Sequence, residues 1–215
     1  ISDASSLVIF CNVPVKTNPN GFDIRILSEL TGRDKLHDVT FVGGLGDYFG
    51  FADKTKTFES LGKRLGEKVT FIWWGFKTGN DFGKLFPSLA KSYNGTTGGI
   101  EMFQIYKDSK IVVNDYGNGF GGIAVNQRIF EVLGTGTLLL TRESESLKGW
   151  ENYLVTFTDV DDCAEKIKYY LAHDEEREKI AKAGQAFVLE NYSYLKLMGK
   201  LSEELTEAYN KKFGK

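Results

Sequence analysis

Short apolar, β-branched runs alternate along this chain with stretches whose apolar residues recur every three to four positions. The runs are Leu7–Phe10, Val39–Gly43, Val69–Trp74, Ile111–Asn114, Thr137–Leu140 and Tyr153–Phe157. Each has the length of a buried strand, and several are bounded by Gly, Asn or Asp. Between them, Lys54–Leu65 places Phe58, Leu61 and Leu65 on one helical face. Asn126–Leu133 does the same for Ile129, Val132 and Leu133, and Asp161–Leu171 for Ala164, Ile167, Tyr170 and Leu171. This alternation predicts an α/β fold, a parallel sheet with helices on both faces and right-handed crossovers.

The last third reads differently. Asp174–Asn191 and Ser193–Phe213 are helical, charge-rich and free of proline. They are expected to pack on the sheet edge or to reach toward a neighbouring domain. At the other end, Pro14 and Pro19 with Asn18 and Asn20 mark Val13–Gly21 as a loop. Residues 1–37 are therefore expected to be a lead-in or linker segment, and residues 38–215 the domain. No internal repeat or low-complexity segment interrupts it.

Composition narrows the setting. At 215 residues there is room for one large domain or two small ones, and 41% hydrophobic with 26% charged residues is ordinary globular content. No apolar run approaches the ~18 residues of a membrane span. Lys plus Arg total 27 against 29 Asp plus Glu, a net charge of −2 that argues against non-specific nucleic-acid binding. Cys11 and Cys163 are far apart and in no metal spacing, which fits a reducing, cytoplasmic compartment. Ile1 opens the chain with no secretory signal pattern behind it, so a processed chain or a piece of a longer protein is expected.

Glycine carries the candidate chemistry. The 24 glycines cluster near strand ends: Gly43-Gly44-Leu45-Gly46, Gly75, Gly117–Gly122 and Gly134-Thr135-Gly136. In open α/β sheets ligands bind at the carboxyl ends of strands, where glycine admits a phosphate and the next helix N-terminus offers N–H groups. Gly43–Gly46 reads equally as a cradle or as a tight turn. It lacks the lysine of a P-loop, and Gly44-Leu45-Gly46 is a poor dinucleotide fingerprint because the helix starts only near Asp53. After Gly117–Gly122, Arg128 and Glu131 stand at i and i+3 of a helix. They read either as an ion pair on a solvated face or as groups for a phosphate and for ribose hydroxyls, with Asn126 as a cap or a ligand contact.

Other groups offer less. Trp73-Trp74-Gly75-Phe76-Lys77 reads first as core packing, with base or sugar stacking as the alternative and Lys77 as a phosphate contact. His37 is expected in a polar linker and His173 at the end of a charged helix, neither in zinc spacing. No serine-hydrolase elbow is present. Asp159–Asp162 is expected to cap a helix start, and Asp174–Lys179 to be a solvated helix face.

Several stretches together resemble a known family. Tyr106–Asn114, the glycine loop and Asn126–Thr141 resemble the Rossmann-like donor-binding half of GT-B glycosyltransferases, closest to the group-1 transferases related to CgeB-like proteins. Ala164–Tyr192, with Arg177, Ile180, Ala181, Gly184 and Val188, resembles the helix pair that ends such domains. Asp38–Gly43 resembles the first strand, and Gly44–Leu61 the glycine turn with its basic residue. The resemblance spans most of residues 38–192.

It implies a nucleotide-sugar-binding domain at 38–215, facing an N-terminal acceptor-binding domain absent from this chain, and sugar transfer to a glycan or other acceptor. No cofactor and no metal are expected, so helix dipole and cationic side chains would stabilise the leaving diphosphate. By the resemblance, Glu131 takes the ribose position. Gly121 and Gly122 approach sugar and diphosphate. Lys54 is the basic residue after the first strand, with Arg128 a second phosphate candidate. Tyr106, Ser109 and Asn114 line the nucleobase side, with Gly43, Gly44, Gly46, Gly75 and Asn126 completing the candidate set. Ile123 stands where many relatives carry a sugar-contacting Glu, and the common Arg after the first strand falls near Gly44. Two other readings stay open: a non-catalytic nucleotide- or sugar-binding module of a larger protein, and a flavodoxin-like or receiver-type regulatory domain, for which Val39–Gly46 offers only Asp47.

Overall fold

A computed structural model describes residues 20–32, 34–46, 52–79, 81–116 and 125–213. Its centre is a five-stranded, wholly parallel sheet built from β1 (His37–Val42), β3 (Phe71–Trp74), β5 (Ser109–Asn114), β6 (Leu138–Arg142) and β7 (Val155–Phe157), in the order β3-β1-β5-β6-β7. A two-residue parallel pair, β2 (Leu45–Gly46) with β4 (Lys77–Thr78), continues β1 and β3. Every expected strand among the described residues is present within a few positions; Leu7–Phe10 lies outside them.

The strand residues alternate between two apolar layers, so both faces are covered. Val39, Phe41, Trp73, Ile111, Val113, Leu138, Leu140 and Phe157 enter one core with Phe58, Leu61 and Leu89. Val42, Trp74, Val112 and Leu139 enter the other with Tyr106, Ile129, Leu133 and Val188. The first layer is roofed by α2 (Ala52–Leu65), α4 (Pro87–Ser92) and α7 (Val160–Ala172), and the second by α5 (Gly99–Lys107), α6 (Gln127–Gly134) and α8 (Asp174–Asn191). Burial on both faces is why the strands read as continuous apolar runs. Short helices α1 (Ile26–Glu29) and α3 (Phe82–Leu85) and the long α9 (Tyr194–Phe213) complete the chain.

Several local expectations shift. Residues 20–32, within the expected lead-in, are tied to the domain: the Phe22 ring is buried, its N–H donates to Tyr192 O at 2.9 Å, and its carbonyl accepts from Tyr194 N at 2.9 Å. Phe22 fills the space above Gly134, where an added Cβ would lie 2.3 Å from its ring. His37 is not in a linker; it begins β1 and meets the Trp74 ring edge-on at 5.3 Å. Both tryptophans are core residues, Trp73 donating from Nε1 to Leu89 O at 2.7 Å. Asp159 caps α7 as expected, accepting from the N–H groups of Asp161 and Asp162.

Candidate functional site

The strand order sets where a ligand fits. From β1 the chain crosses outward to β3, then returns past β1 to β5, so its direction of winding reverses between β1 and β5. Adjacent crossovers leave on opposite sides there, and their carboxyl ends border a crevice. The β1 side supplies Gly43, Gly44, Gly46 and the first turn of α2 with Lys54. The β5 side supplies Asn114, Asp115 and the first two turns of α6 with Arg128 and Glu131. Gly121 and Gly122 lie outside the described residues.

The glycines of the β1 side answer first to chain packing. A Cβ at Gly75 (φ +151°) would sit 2.0 Å from Gly43 O, and one at Gly46 would sit 1.9 Å from Thr78 Oγ1. Without side chains there, β2 and β4 come within hydrogen-bonding reach, Leu45 N donating to Phe76 O at 3.0 Å. Thr55, buried on α2, then fastens the turn: its Oγ1 accepts from Gly46 N at 2.8 Å and donates to Gly46 O at 2.9 Å. Gly44 is half-buried between β1 and β2. Gly134–Gly136 belongs to the opposite end of the sheet, where Gly136 (φ +75°) ends α6 before β6.

Lys54 is buried beside Phe41, its Nζ 5.6 Å from the ring centroid. Burial pushes its pKa down to about 8; the charge of Asp115 works against that fall and the charge of Arg128 adds to it. The two cations expected at phosphate are thus in electrostatic range of each other across the crevice. Asp115 is held by a two-point pair with Arg142, Nε to Oδ1 at 3.1 Å and Nη2 to Oδ2 at 2.9 Å. Neither Asp115 nor Arg142 was singled out from the sequence. An apolar run ending in Asn-Asp, followed by another ending in Thr-Arg, is the signal that places both at carboxyl strand ends.

Asn114 and Asn126 face each other. Asn114 Nδ2 donates to Thr141 Oγ1 at 3.0 Å and to Asn126 Oδ1 at 3.4 Å, and Asn126 Nδ2 returns a bond to Asn114 Oδ1 at 3.3 Å. Asn126 holds the N-cap position of α6 but its side chain makes no capping bond. Glu131 accepts from Arg128 Nη1 at 2.9 Å; the same nitrogen donates to Tyr106 Oη and lies 3.0 Å from Met102 Sδ, both on α5. Burial raises the pKa of Glu131 and Arg128 opposes that rise. Ser109 is not brought to the crevice: it begins β5, at the amino end of the sheet, where its hydroxyl donates to Ile105 O at 2.6 Å and meets Thr40 Oγ1 at 2.9 Å. Lys77 lies over the Tyr93 ring at 4.3 Å. A separate groove of about 670 Å³ opens at the β7 edge, lined by Glu143–Glu145, Thr156, Lys166 and Tyr170 among others, and contains none of the expected site residues.

The sequence model of the glycosyl transferase-like family matches residues 54–203, from Lys54 of α2 into α9. The chain belongs to this family. Its α/β fold is that of GT-B glycosyltransferases. HepE of Anabaena, solved in complex with UDP-glucose, is 13% identical with a TM-score of 0.67, over 89% of this chain and 57% of that one. A glycosyltransferase from Rickettsia africae is 15% identical with a TM-score of 0.67, over 96% and 60%. The C-terminal domain of the group 1 glycosyl transferase LpcC from Francisella tularensis is 16% identical with a TM-score of 0.56, over 81% of this chain and 100% of that domain. The chain therefore spans little more than half of HepE and the whole of an isolated C-terminal domain. No described helix is long and apolar enough to cross a membrane.

Proposed function

We propose that this glycosyltransferase domain binds a nucleotide-sugar at the crevice between β1 and β5 and provides the sugar-donor half of a metal-independent transfer to a glycan or other acceptor, the acceptor being held by an N-terminal domain. The observation that carries this reading is the placing of Lys54, on the first turn of α2, and the Arg128–Glu131 pair of α6 on the two sides of one topological switch point, with Arg128 in electrostatic range of Lys54. Lys54 at a pKa of about 8 is a cation that an arriving diphosphate would hold protonated, so the leaving nucleotide's charge is met without a metal. Glu131 is the acceptor for ribose hydroxyls. UDP is the first nucleotide to try, because HepE was solved with UDP-glucose. Two distant cysteines fit the cytoplasm as the site of this chemistry.

A thermal-shift panel of UDP-, GDP-, CDP- and dTDP-sugars with their free nucleotides tests the reading. A ligand at ~100 times its Kd adds about 2.7 kcal/mol of stability. One nucleotide giving that shift fixes the class; no shift from any of them refutes binding by this domain. Ile123, at the position where many relatives carry a sugar-contacting Glu, favours the second reading, a module that binds without transfer. Transfer or hydrolysis of the bound nucleotide-sugar would exclude that second reading.

A further inference from the structure

Arg128 is a phosphate candidate by sequence, yet its guanidinium is turned toward a different task. Nη1 is committed to Glu131 Oε2 on its own helix and to the Tyr106 hydroxyl and Met102 Sδ on α5. The guanidinium carbon lies 5.5 Å from the centroid of the Tyr106 ring. Tyr106 is fully buried, and its side chain is fixed between α5 and α6 by the surrounding apolar layer. An arginine whose Nη1 is gathered against a carboxylate on its own helix and a buried hydroxyl on the next, with its plane near that tyrosine's ring, is placed better to brace the carboxylate than to swing out as a mobile phosphate clamp.

We propose that Arg128 is a positioning residue: with Tyr106 it fixes the carboxylate of Glu131, the group that reads the ribose hydroxyls of the nucleotide. The inference rests on the nucleotide reading above and assigns Arg128 a part in it different from phosphate binding.

The electrostatics agree with the geometry. Burial disfavours the Glu131 anion and Arg128 is the charge that offsets this. Among the described residues, the groups facing Glu131 are Arg128 on α6 and Tyr106 on α5, whose hydroxyl burial keeps protonated. Lys54 of α2 acts on Arg128 from across the crevice. The remaining described packing of α6 against β5, β6 and α8 brings no further charge: it is apolar through Val112, Leu139 and Val188, with the neutral Gln185 amide donating to Gly134 O at the far end of the helix. Removing the Arg128 charge therefore leaves a carboxyl that ionises only at higher pH and has lost its fixed direction.

The test compares UDP with 2′,3′-dideoxy-UDP, which lacks both hydroxyls, by titration calorimetry on the full chain between pH 6 and 8.5. The wild-type protein is expected to bind UDP at least tenfold tighter than the dideoxy compound. Arg128→Gln should lose that preference at pH 6, leave dideoxy-UDP affinity within about twofold, and regain part of the preference as pH rises. Arg128→Lys, which keeps a cation beside Glu131, should retain most of it. An Arg128→Gln protein that loses affinity for both nucleotides by the same factor has lost a phosphate contact, which overturns the proposal and leaves the nucleotide reading standing. A wild-type protein that binds both equally overturns it as well. Failure of either nucleotide to bind the wild-type protein overturns both readings. Should Arg128→Gln not fold, Tyr106→Phe reads the same linkage: the ribose preference falls while dideoxy-UDP affinity holds, and an unchanged preference refutes the brace.

Discussion

Replacing Lys54 by Met is expected to stabilise the empty domain while weakening nucleotide binding. Lys54 is held at a pKa of about 8 against an ordinary 10.5, with burial the largest cause. The sign follows from proton counting. Between about pH 8 and 10.5 the unfolded chain keeps a proton on Lys54 that the folded chain has released, so stability rises with pH across that window. Below about pH 8 the folded protein carries the whole cost of a buried ammonium. At about 1.4 kcal/mol per pH unit, that cost approaches about 3 kcal/mol as an upper limit. Met has nearly the same length and no charge, so Lys54→Met should melt up to about 6–12 °C higher at pH 7, taking 2–4 °C per kcal/mol for a chain of this size. Melting curves of both proteins from pH 6 to 10.5 check this: the advantage of the Met variant should shrink steadily above pH 8 as wild-type Lys54 loses its proton. The same variant should bind UDP about 10- to 100-fold more weakly, the value of one charged contact. A stability difference that is the same at pH 7 and pH 10, or a Met variant less stable at pH 7, would refute the reasoning.

Four further outcomes follow from local geometry. Gly46→Ala puts a Cβ 1.9 Å from Thr78 Oγ1 and 2.7 Å from Thr78 O, so β2 and β4 must separate; urea unfolding should show a loss of about 1–3 kcal/mol, together with weaker nucleotide binding. Gly184→Ala brings a Cβ to 2.5 Å from Tyr153 O and should cost a similar amount by pushing α8 off the turn before β7, with nucleotide affinity per folded molecule unchanged. Asp159→Ala removes the N-cap of α7 and should cost about 1 kcal/mol. Asp161→Ala breaks only the exposed pair with Arg64 and should stay under about 0.5 kcal/mol in the same assay.

The sheet was legible because parallel strands buried on both faces leave a contiguous apolar run that no other element shares. Asp174–Asn191 was read to its observed ends, since a long charged helix bounded by His173 and Tyr192 has few competing assignments. Between β3 and β5 the signal failed. The short helices α3 and α4 hold only a few buried residues, Phe82 and Leu89 in the helices themselves; they pack on Trp73, and the first N–H groups of α4 are met by the carboxylate of Glu59 from α2, a cap that no neighbouring residue announces. Tyr106, which the sequence groups with the strand that follows, lies in the last turn of α5, and Phe22, within the expected lead-in, fills the hollow above Gly134.

Which residues of the candidate site gather at the carboxyl strand ends was legible; what each does there was not. A glycine after a strand reads the same whether the missing Cβ makes room for a phosphate or for a neighbouring strand, because both need only close approach; at Gly75 and Gly46 the positions of Gly43 O and Thr78 already leave no room for a Cβ. Spacing placed Arg128 and Glu131 on one face, and that pairing is present. What spacing could not supply is the third member. Tyr106 lies 22 residues upstream on another helix, and it is the closing of α5 on α6 that turns an i, i+3 pair into a braced carboxylate. A pair on a solvated face would leave Arg128 at liberty to reach a phosphate, whereas a pair backed by a buried hydroxyl spends that cation on orientation. On the proposed reading the charge of a phosphate in this crevice would fall chiefly to Lys54, and that is why one buried lysine is expected to govern both the stability of the empty domain and its affinity for a nucleotide.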